Sequence, residues 1–441
     1  MSRLYEPQAY DTTTWPNSLW RAATPPLAPW PRLQGAARAE VAIIGAGVTG
    51  LNAALELAEA HDADVALLDA AQPGWGASGR NGGFCCAGST KLSDAAIRRR
   101  VGPAGADAFA AFQRAAVARV DDNLRRYAID AERGPDGELH LAHSPRAWAV
   151  MQAEAAEDPD AEILPREALR DRGLFSPAFH GGVLERLGFP IQPMKYTLGL
   201  ARAAQAAGVR CHGDSPVTRL APQAGGWRLT TPHGTLDAAR VLVATNGYTD
   251  ERVPGWLAGR ILPVLSNILV TRPLSAEEQR AQGWTARTMS FDSRRLLHYF
   301  RLLPCGRFLF GARGGHSADP AALAAFARTA RAEFDAMFPG FAAAETEHRW
   351  SGLVCLTASL APFAGPVPGT EGLFAALAWH GNGVAAGSET GRRMATLVAG
   401  GADTLPALMR RPPPRLPVPR RAALRAAMAA MRVADLPAIS R

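Results

Sequence analysis

The chain has 441 residues and a formal net charge of +8, carried almost wholly by arginine because Lys91 and Lys195 are its only lysines. That length allows a large core and two or more domains, and no apolar run reaches the roughly eighteen residues of a membrane-crossing helix. No basic stripe interleaved with aromatics argues for nucleic acid, and an N-terminus without an apolar signal core, with five cysteines lacking metal-ligand spacing, predicts a cytoplasmic protein without a metal.

In chain order, residues 1–38 read as an irregular arm holding Pro25, Pro26, Pro29 and Pro31. Residues 41–44 are a short apolar run suited to a strand buried on both faces. Gly45, Gly47 and Gly50 follow at GxGxxG spacing, then Leu51, Ala54, Leu55 and Ala58 recur at helical spacing. A second apolar strand, 65–68, ends at Asp69. Strand, glycine turn, helix, strand and acid form the layout of a dinucleotide-binding βαβ unit. Its glycines allow the turn, the approach of a pyrophosphate and close helix packing, and its acid receives ribose hydroxyls. The free N–H groups at the helix start favour phosphate.

Residues 74–83 carry five glycines in ten positions, a segment able to run flat against a planar ring. Residues 91–135 read as helices, 180–190 as a glycine-rich turn region and 193–207 as a helix. Strands are expected at 227–230, 240–243, 268–271, 296–303 and 308–312, and an alanine-rich helix at 320–338. A buried strand at 373–378 leads through a glycine turn to a helix at 387–399. A tail helix at 422–432 has a face of alanine and methionine, expected to pack on the body rather than on a membrane. Dinucleotide-type strands near 41, 241 and 373 predict a discontinuous cofactor domain (39–90, 190–252, 345–405). A substrate domain is inserted in two pieces (91–189, 253–344), between the arm and a tail at 406–441. Cys85 and Cys86 are expected to be reduced packing residues.

The motifs GAGVTG (45–50), GWGASGRNGG (74–83), VLVATNG (241–247) and WHGNGV (379–384) together resemble the FAD-dependent amine and amino-acid oxidase superfamily. This is the group of D-amino acid oxidase, glycine oxidase and sarcosine oxidase, and the GASGRNGG form is most similar to its γ-glutamylputrescine oxidase branch. The resemblance implies an α/β fold: a Rossmann-like FAD-binding domain with an inserted α+β substrate domain carrying a mixed or antiparallel sheet. It implies FAD in an extended pose. Gly45, Gly47, Val48, Thr49 and Gly50 would take the pyrophosphate. Asp69, where the family usually has glutamate, would take the ribose. Gly76, Ala77, Ser78, Arg80, Asn81, Gly82 and Gly83 would line the flavin. Val217 with Ala244, Thr245, Asn246 and Gly247 would form a second crossing. His380, Gly381, Asn382, Gly383 and Val384 would aim a helix N-terminus at the flavin N1/C2 carbonyl, favouring the negative charge of reduced flavin. The branch more often carries Ser-Gly-His-Gly in this turn, so Asn382 stands where a histidine would be.

The resemblance further implies hydride transfer from the CH–NH bond of a small amine or amino acid to flavin N5, giving an imine that hydrolyses. Oxygen is the expected electron acceptor. The alternatives are a dehydrogenase with another acceptor, a tRNA- or alcohol-modifying flavoprotein, and a catalytically silent FAD-binding subunit. Substrate anchors are sought in 290–301, where alternation puts His298 and Phe300 on one strand face and Tyr299 and Arg301 on the other. An Arg/Tyr pair suits a carboxylate. His298, Tyr299, Arg301, Arg313 and His380 are the catalytic candidates. Cys355 resembles the cysteine by which sarcosine oxidases bond the flavin 8α carbon, with a buried structural cysteine as the other reading. Both lysines precede the expected substrate sheet, so His298 is the cation considered for oxygen activation.

Overall fold

The structure, a computed structural model, describes residues 3–416 and 419–435. The remaining positions of the expected arm and tail (1–2, 417–418 and 436–441) lie outside the described residues.

Two eight-stranded sheets organise the chain. In the first, Leu373–Leu377, Gly234–Val243, Gly35–Ile44, Val65–Leu68 and Arg210–His212 run parallel in that spatial order. Phe363–Pro366 closes one edge, and the hairpin Arg219–Gln223/Gly226–Thr230 pairs antiparallel to Gly234–Val243. The continuous apolar runs are explained by burial on both faces: every residue from Val41 to Ile44 and from Val65 to Leu68 is buried. Helices Val48–His61, Pro193–Ala206, Gly383–Val398 and Asp94–Arg126 pack together over one face of this sheet.

The second sheet has the spatial order Thr346–Leu356, Leu262–Thr271, Phe308–Arg313, His298–Leu302, Met289–Asp292, Glu138–Leu141, Gly181–Glu185, Ala161–Pro165. It is antiparallel except where Met289–Asp292 runs parallel to Glu138–Leu141. One face is sealed by helix Pro320–Met337 and an aromatic cluster of Trp284, Phe300, Phe308, Phe310, Phe334 and Phe338. The other face turns toward the first sheet and lines a cavity.

Several expectations change. Residues 180–190 contain strand Gly181–Glu185 rather than a turn region. Their glycines answer to close packing, since a Cβ at Gly181 would lie 2.7 Å from the Trp148 ring and one at Gly182 2.9 Å from His140 O. The arm ends before residue 38, because Gly35–Ile44 already pairs with Gly234–Val243 from its first residue. Strand Thr346–Leu356, expected in the cofactor segment 345–405, pairs with Leu262–Thr271 in the second sheet. The last core helix starts at Gly383, one turn earlier than expected, with Val384, Ala385 and Ala386 of that turn buried and two of them alanines that favour helix. The tail helix Arg420–Ala434 packs Leu424 and Met428 against Leu4, Tyr5 and Leu265. Cys85 and Cys86 are free and buried. Among the described residues no helix is long and apolar enough to cross a membrane.

Candidate active site

A single cavity of about 470 Å³ runs from the Gly45–Val48 turn to the face of the second sheet. At its first end, Gly45 has φ +109°, and a Cβ there would lie 2.9 Å from Ala244 O. Gly50 does not line the cavity; a Cβ on it would strike Gly45 O at 1.9 Å, so its role is helix-to-turn packing. Ser78 Oγ accepts from Val48 N at 3.0 Å and would lie 2.9 Å from a Cβ at Gly47. The two glycine motifs are therefore held against each other by one hydroxyl. Both carboxylate oxygens of Asp69 accept backbone N–H groups, from Ala46 at 2.7 Å and Ala71 at 2.9 Å. Burial nevertheless pushes its pKa up to about 6. Each oxygen keeps a lone pair for a ribose hydroxyl.

The segment 74–83 is fastened almost entirely through its backbone. Asn81 donates its side-chain amide to Ala77 O and Ser78 O and accepts from Gly83 N at 2.8 Å. Trp20 and Trp350 donate their indole N–H groups to Asn81 O and Arg80 O, each at 2.8 Å. Arg80 lies over the Trp75 ring at 4.2 Å and donates to Ser351 O. Gly83 does not line the cavity; it is crowded by Ile191 O and the Arg301 guanidinium.

At the opposite side, Asn246 (φ +47°) accepts from Ala378 N at 2.9 Å, pinning the 244–247 crossing to the strand before the last glycine turn. Ala244, Thr245, Asn246 and Val217 line the cavity; Gly247 packs behind, against Leu353 and Cys355. Gly381, Asn382, Gly383 and Val384 also line it. The Asn382 amide donates to Ala87 O and Gly88 O and leaves the N-terminus of helix Gly383–Val398 without a side-chain cap. Helix Val48–His61 likewise begins at Gly47, which offers no side-chain cap. Two helix N-termini thus open on one cavity over a glycine cradle, a donor set that fits an extended dinucleotide with an anionic pyrophosphate and a flavin ring that gains negative charge on reduction. The residues present fit FAD.

His380, expected beside the flavin, does not line the cavity. It is fully buried, its Nε2 lies 3.4 Å from Thr357 Oγ1, and burial drops its pKa to about 4. Cys355 lines the cavity as a buried thiol whose ionisation burial opposes.

Of the anchor candidates, Tyr299 and Arg313 line the cavity; His298 and Arg301 do not. Tyr299 hydrogen-bonds Ser266 Oγ at 3.0 Å and meets the Phe84 ring edge-on. Arg313 reaches across to Gly381, where a Cβ would lie 2.5 Å from Nη2. Among the described residues no carboxylate comes within the 4.0 Å ion-pair distance of Arg313. Arg301 does share a strand face with Tyr299, but it donates to Gly82 O at 3.1 Å and Ile191 O at 2.6 Å, bracing the glycine segment from outside the cavity. His298 faces the aromatic cluster, stacked on Phe310, with Nδ1 2.8 Å from Asp292 and Nε2 3.1 Å from Glu333. Burial opposes its charge, but the two carboxylates win and raise its pKa to about 9. It is a structural imidazolium on the far face of the sheet, so it is not the cation for oxygen.

The cavity also holds Lys91, set aside above because it precedes the substrate sheet, and Glu138, Glu185, Ser266 and Phe291, which the sequence did not single out. Lys195, by contrast, is paired with Glu132 at 2.8 Å. Lys91 follows the glycine segment closely, and burial, then Arg313, lower its pKa to about 8. Burial, reinforced by Glu185, raises Glu138 to about 8. The alternation Glu-Leu-His-Leu at 138–141 was the available signal, a strand with a polar face.

The "FAD dependent oxidoreductase" (DAO) family matches residues 40–397. A "Probable oxidoreductase OrdL" of Rhizobium meliloti (strain 1021) is 32% identical over 410 residues, covering 91% of this chain and 93% of its own. The "Gamma-glutamylputrescine oxidoreductase" of Escherichia coli (strain K12) is 28% identical, covering 94% and 96%. Glycine oxidase from Geobacillus kaustophilus superposes with a TM-score of 0.69 at 22% identity, over 83% of this chain and 96% of its own. With the βαβ glycine turn, the backbone-lined ring segment and the N-terminus of helix Gly383–Val398 meeting in one cavity, the chain belongs to the FAD-dependent oxidoreductase family of D-amino acid oxidase type.

Proposed function

We propose that this protein oxidises the CH–NH bond of a small amine or amino acid and passes the electrons to oxygen. The observation that carries the reading is the Arg313 guanidinium, free of any carboxylate partner among the described residues, beside the Tyr299 hydroxyl in the cavity that also holds the glycine cradle. A guanidinium and a phenol together suit a substrate carboxylate. The similarity to a γ-glutamylputrescine oxidoreductase supports the amine class. FAD, when bound, supplies the hydride acceptor.

The chain's own residues bind and orient. Arg313 and Tyr299 fix the carboxylate end, the Gly76–Gly82 backbone offers a flat wall, and Phe291 with Phe84 excludes water from that side. Lys91 places a cation in the same cavity, the charge that stabilises developing negative charge on an oxygen acceptor. This supports an oxidase over a dehydrogenase.

The test is the visible flavin spectrum of the purified holoenzyme, titrated anaerobically with γ-glutamylputrescine, putrescine, glycine, sarcosine, D-alanine and D-proline. Bleaching by at least one amine is expected, with recovery on admitting air. Bleaching without recovery in air turns the reading to a dehydrogenase. Failure of every amine to bleach the flavin overturns the amine reading in favour of a silent subunit.

A further inference from the structure

The N-terminal arm is tied by polar contacts to both walls of the cofactor cavity. Trp75 donates its indole N–H to Thr14 O and Trp20 donates to Asn81 O, each at 2.8 Å, so the arm grips the 74–83 segment twice. Tyr5 reaches the second sheet, where its hydroxyl accepts from Leu265 N at 3.2 Å and donates to Gly315 O at 2.9 Å. Glu6 accepts from Ser317 Oγ at 2.9 Å and Ala318 N at 2.6 Å, and pairs with Arg421 of the tail helix.

Just before these anchors, Arg3 lines the cavity, its guanidinium carbon 4.6 Å from the centre of the Tyr10 ring. Tyr10 meets Tyr248 edge-on, and Tyr248 packs on Gly76, where an added Cβ would lie 3.8 Å from its ring. Gly76 stands two residues before Ser78, whose hydroxyl accepts from Val48 N at the start of helix Val48–His61. Arg3 is thus on the side of the cavity where the glycine turn would take the pyrophosphate, whereas Arg313 reaches the Gly381 turn.

The Arg3 charge has no partner in the protein. Among the described residues no carboxylate lies within 4.0 Å of it, and its Nε is buried without an acceptor. Asp250, an acid on the same cavity, feels the Arg3 charge, but its two oxygens accept from Arg252 at 3.0 and 2.7 Å. Arg80, the other guanidinium at this end, donates to Trp75 O and Ser351 O. A buried donor left unmade is costly, and an arriving anion removes that cost. A helix N-terminus supplies about half a positive charge, which leaves most of the charge of a pyrophosphate to be met by another cation.

We propose that Arg3 is a phosphate-binding residue of the FAD site, supplied by the N-terminal arm, so that cofactor affinity depends on the arm as well as on the glycine turn. The inference needs FAD alone and is indifferent to which substrate reduces it.

The experiment reconstitutes apoprotein with FAD and, separately, with riboflavin, which has the ring and ribityl chain but no phosphate, and reads affinity from flavin fluorescence. Arg3→Met should bind FAD about tenfold more weakly than wild type or worse, with riboflavin affinity nearly unchanged. Arg3→Lys, which keeps the charge, should recover part of the loss. Rising salt should narrow the gap between wild type and Arg3→Met for FAD. Asp250→Asn, which removes a negative charge from the same wall, should bind FAD at least as well as wild type. Wild-type FAD affinity in Arg3→Met would place Arg3 outside the site and overturn the proposal. Equal losses for FAD and riboflavin, or a gap that salt leaves unchanged, would reduce Arg3 to packing of the arm. A loss in Asp250→Asn equal to that in Arg3→Met would assign Arg3 to that acid instead of to phosphate. Thermal unfolding of the apoproteins should be alike, because Tyr5 and Glu6 still hold the arm; if Arg3→Met unfolds early, Arg3→Lys and the salt dependence of the wild type decide.

Discussion

The ring of Tyr299 lies over the bare backbone of Gly311 on the neighbouring strand, where a Cβ would fall 2.0 Å from Cζ. The glycine is a seat for the ring, and the ring's position sets where its hydroxyl meets Ser266. Gly311→Ala should force Tyr299 out of the cavity floor and lower kcat/KM for amine substrates by about tenfold to a hundredfold. Flavin content should change much less, because Gly311 meets the Tyr299 ring and not the Gly45–Val48 turn. Steady-state kinetics beside the flavin-to-protein absorbance ratio checks both halves.

The hydroxyl of Ser78 joins the two glycine motifs through Val48 N. Ser78→Ala removes one partner and leaves that N–H to water or cofactor. The loss of a hydrogen bond is worth about 1 kcal/mol. FAD should bind several-fold more weakly, measured by reconstituting apoprotein with increasing FAD and following flavin fluorescence.

Replacing Arg313 with methionine keeps much of its length and removes its charge. For amino carboxylates the variant should show KM raised roughly tenfold to a hundredfold, the worth of a charge-assisted pair. Amines without a carboxylate should be affected much less. Equal losses for both classes would assign Arg313 to the architecture of the Gly381 turn instead.

His298 makes stability depend on pH. Its folded pKa, about 9, stands above the ordinary 6.5, so its contribution is complete below about pH 6.5 and is lost as pH rises through about 9. The gap between wild type and His298→Gln in denaturant unfolding should therefore narrow by roughly 2–3 kcal/mol between about pH 6 and about pH 10. A constant gap would mean that the ring is held neutral.

Cys355 bears on how the cofactor is held. Its thiol is buried, burial opposes the thiolate, and it donates to Leu356 O at 3.9 Å. A thiol needs thiolate character to attack carbon. Acid precipitation should leave the flavin in the supernatant; flavin in the pellet, abolished by Cys355→Ser, would establish a covalent bond.

The nucleotide half of the cavity was legible in the sequence because its contacts are local. A glycine turn, an apolar strand and an acid announce themselves within a few residues of one another, and Asp69 does meet the glycine turn, at Ala46 N. The substrate half was not, because it is assembled by a sheet whose neighbours are far apart in sequence. Glu138 enters beside Met289 through a parallel pairing that no local pattern reveals. Strand alternation correctly separated His298 from Tyr299 but could not say which face would be filled by Phe334 and Phe338. It likewise could not show that Arg301, on the right face, would be consumed by the carbonyls of Gly82 and Ile191. The glycines at 181–182 were read as turn formers because their close contacts, Trp148 and His140, lie tens of residues away.

The helices Val48–His61 and Gly383–Val398 cross where Gly387 and Gly391 press on Thr49; added Cβ atoms there would lie 2.7 Å from its Oγ1 and 2.3 Å from its O. These two helices carry the two N-termini that open on the cavity, neither capped by the side chain of its own N-cap residue. Their crossing therefore acts as a gauge, fixing the separation of two positive jaws before any ligand arrives. The phosphate expected at one jaw and the flavin ring expected at the other must match a spacing that helix packing sets rather than the loops between them. A methyl group added at Gly391 would collide with Thr49 O in the first turn of the other helix and shift one jaw against the other.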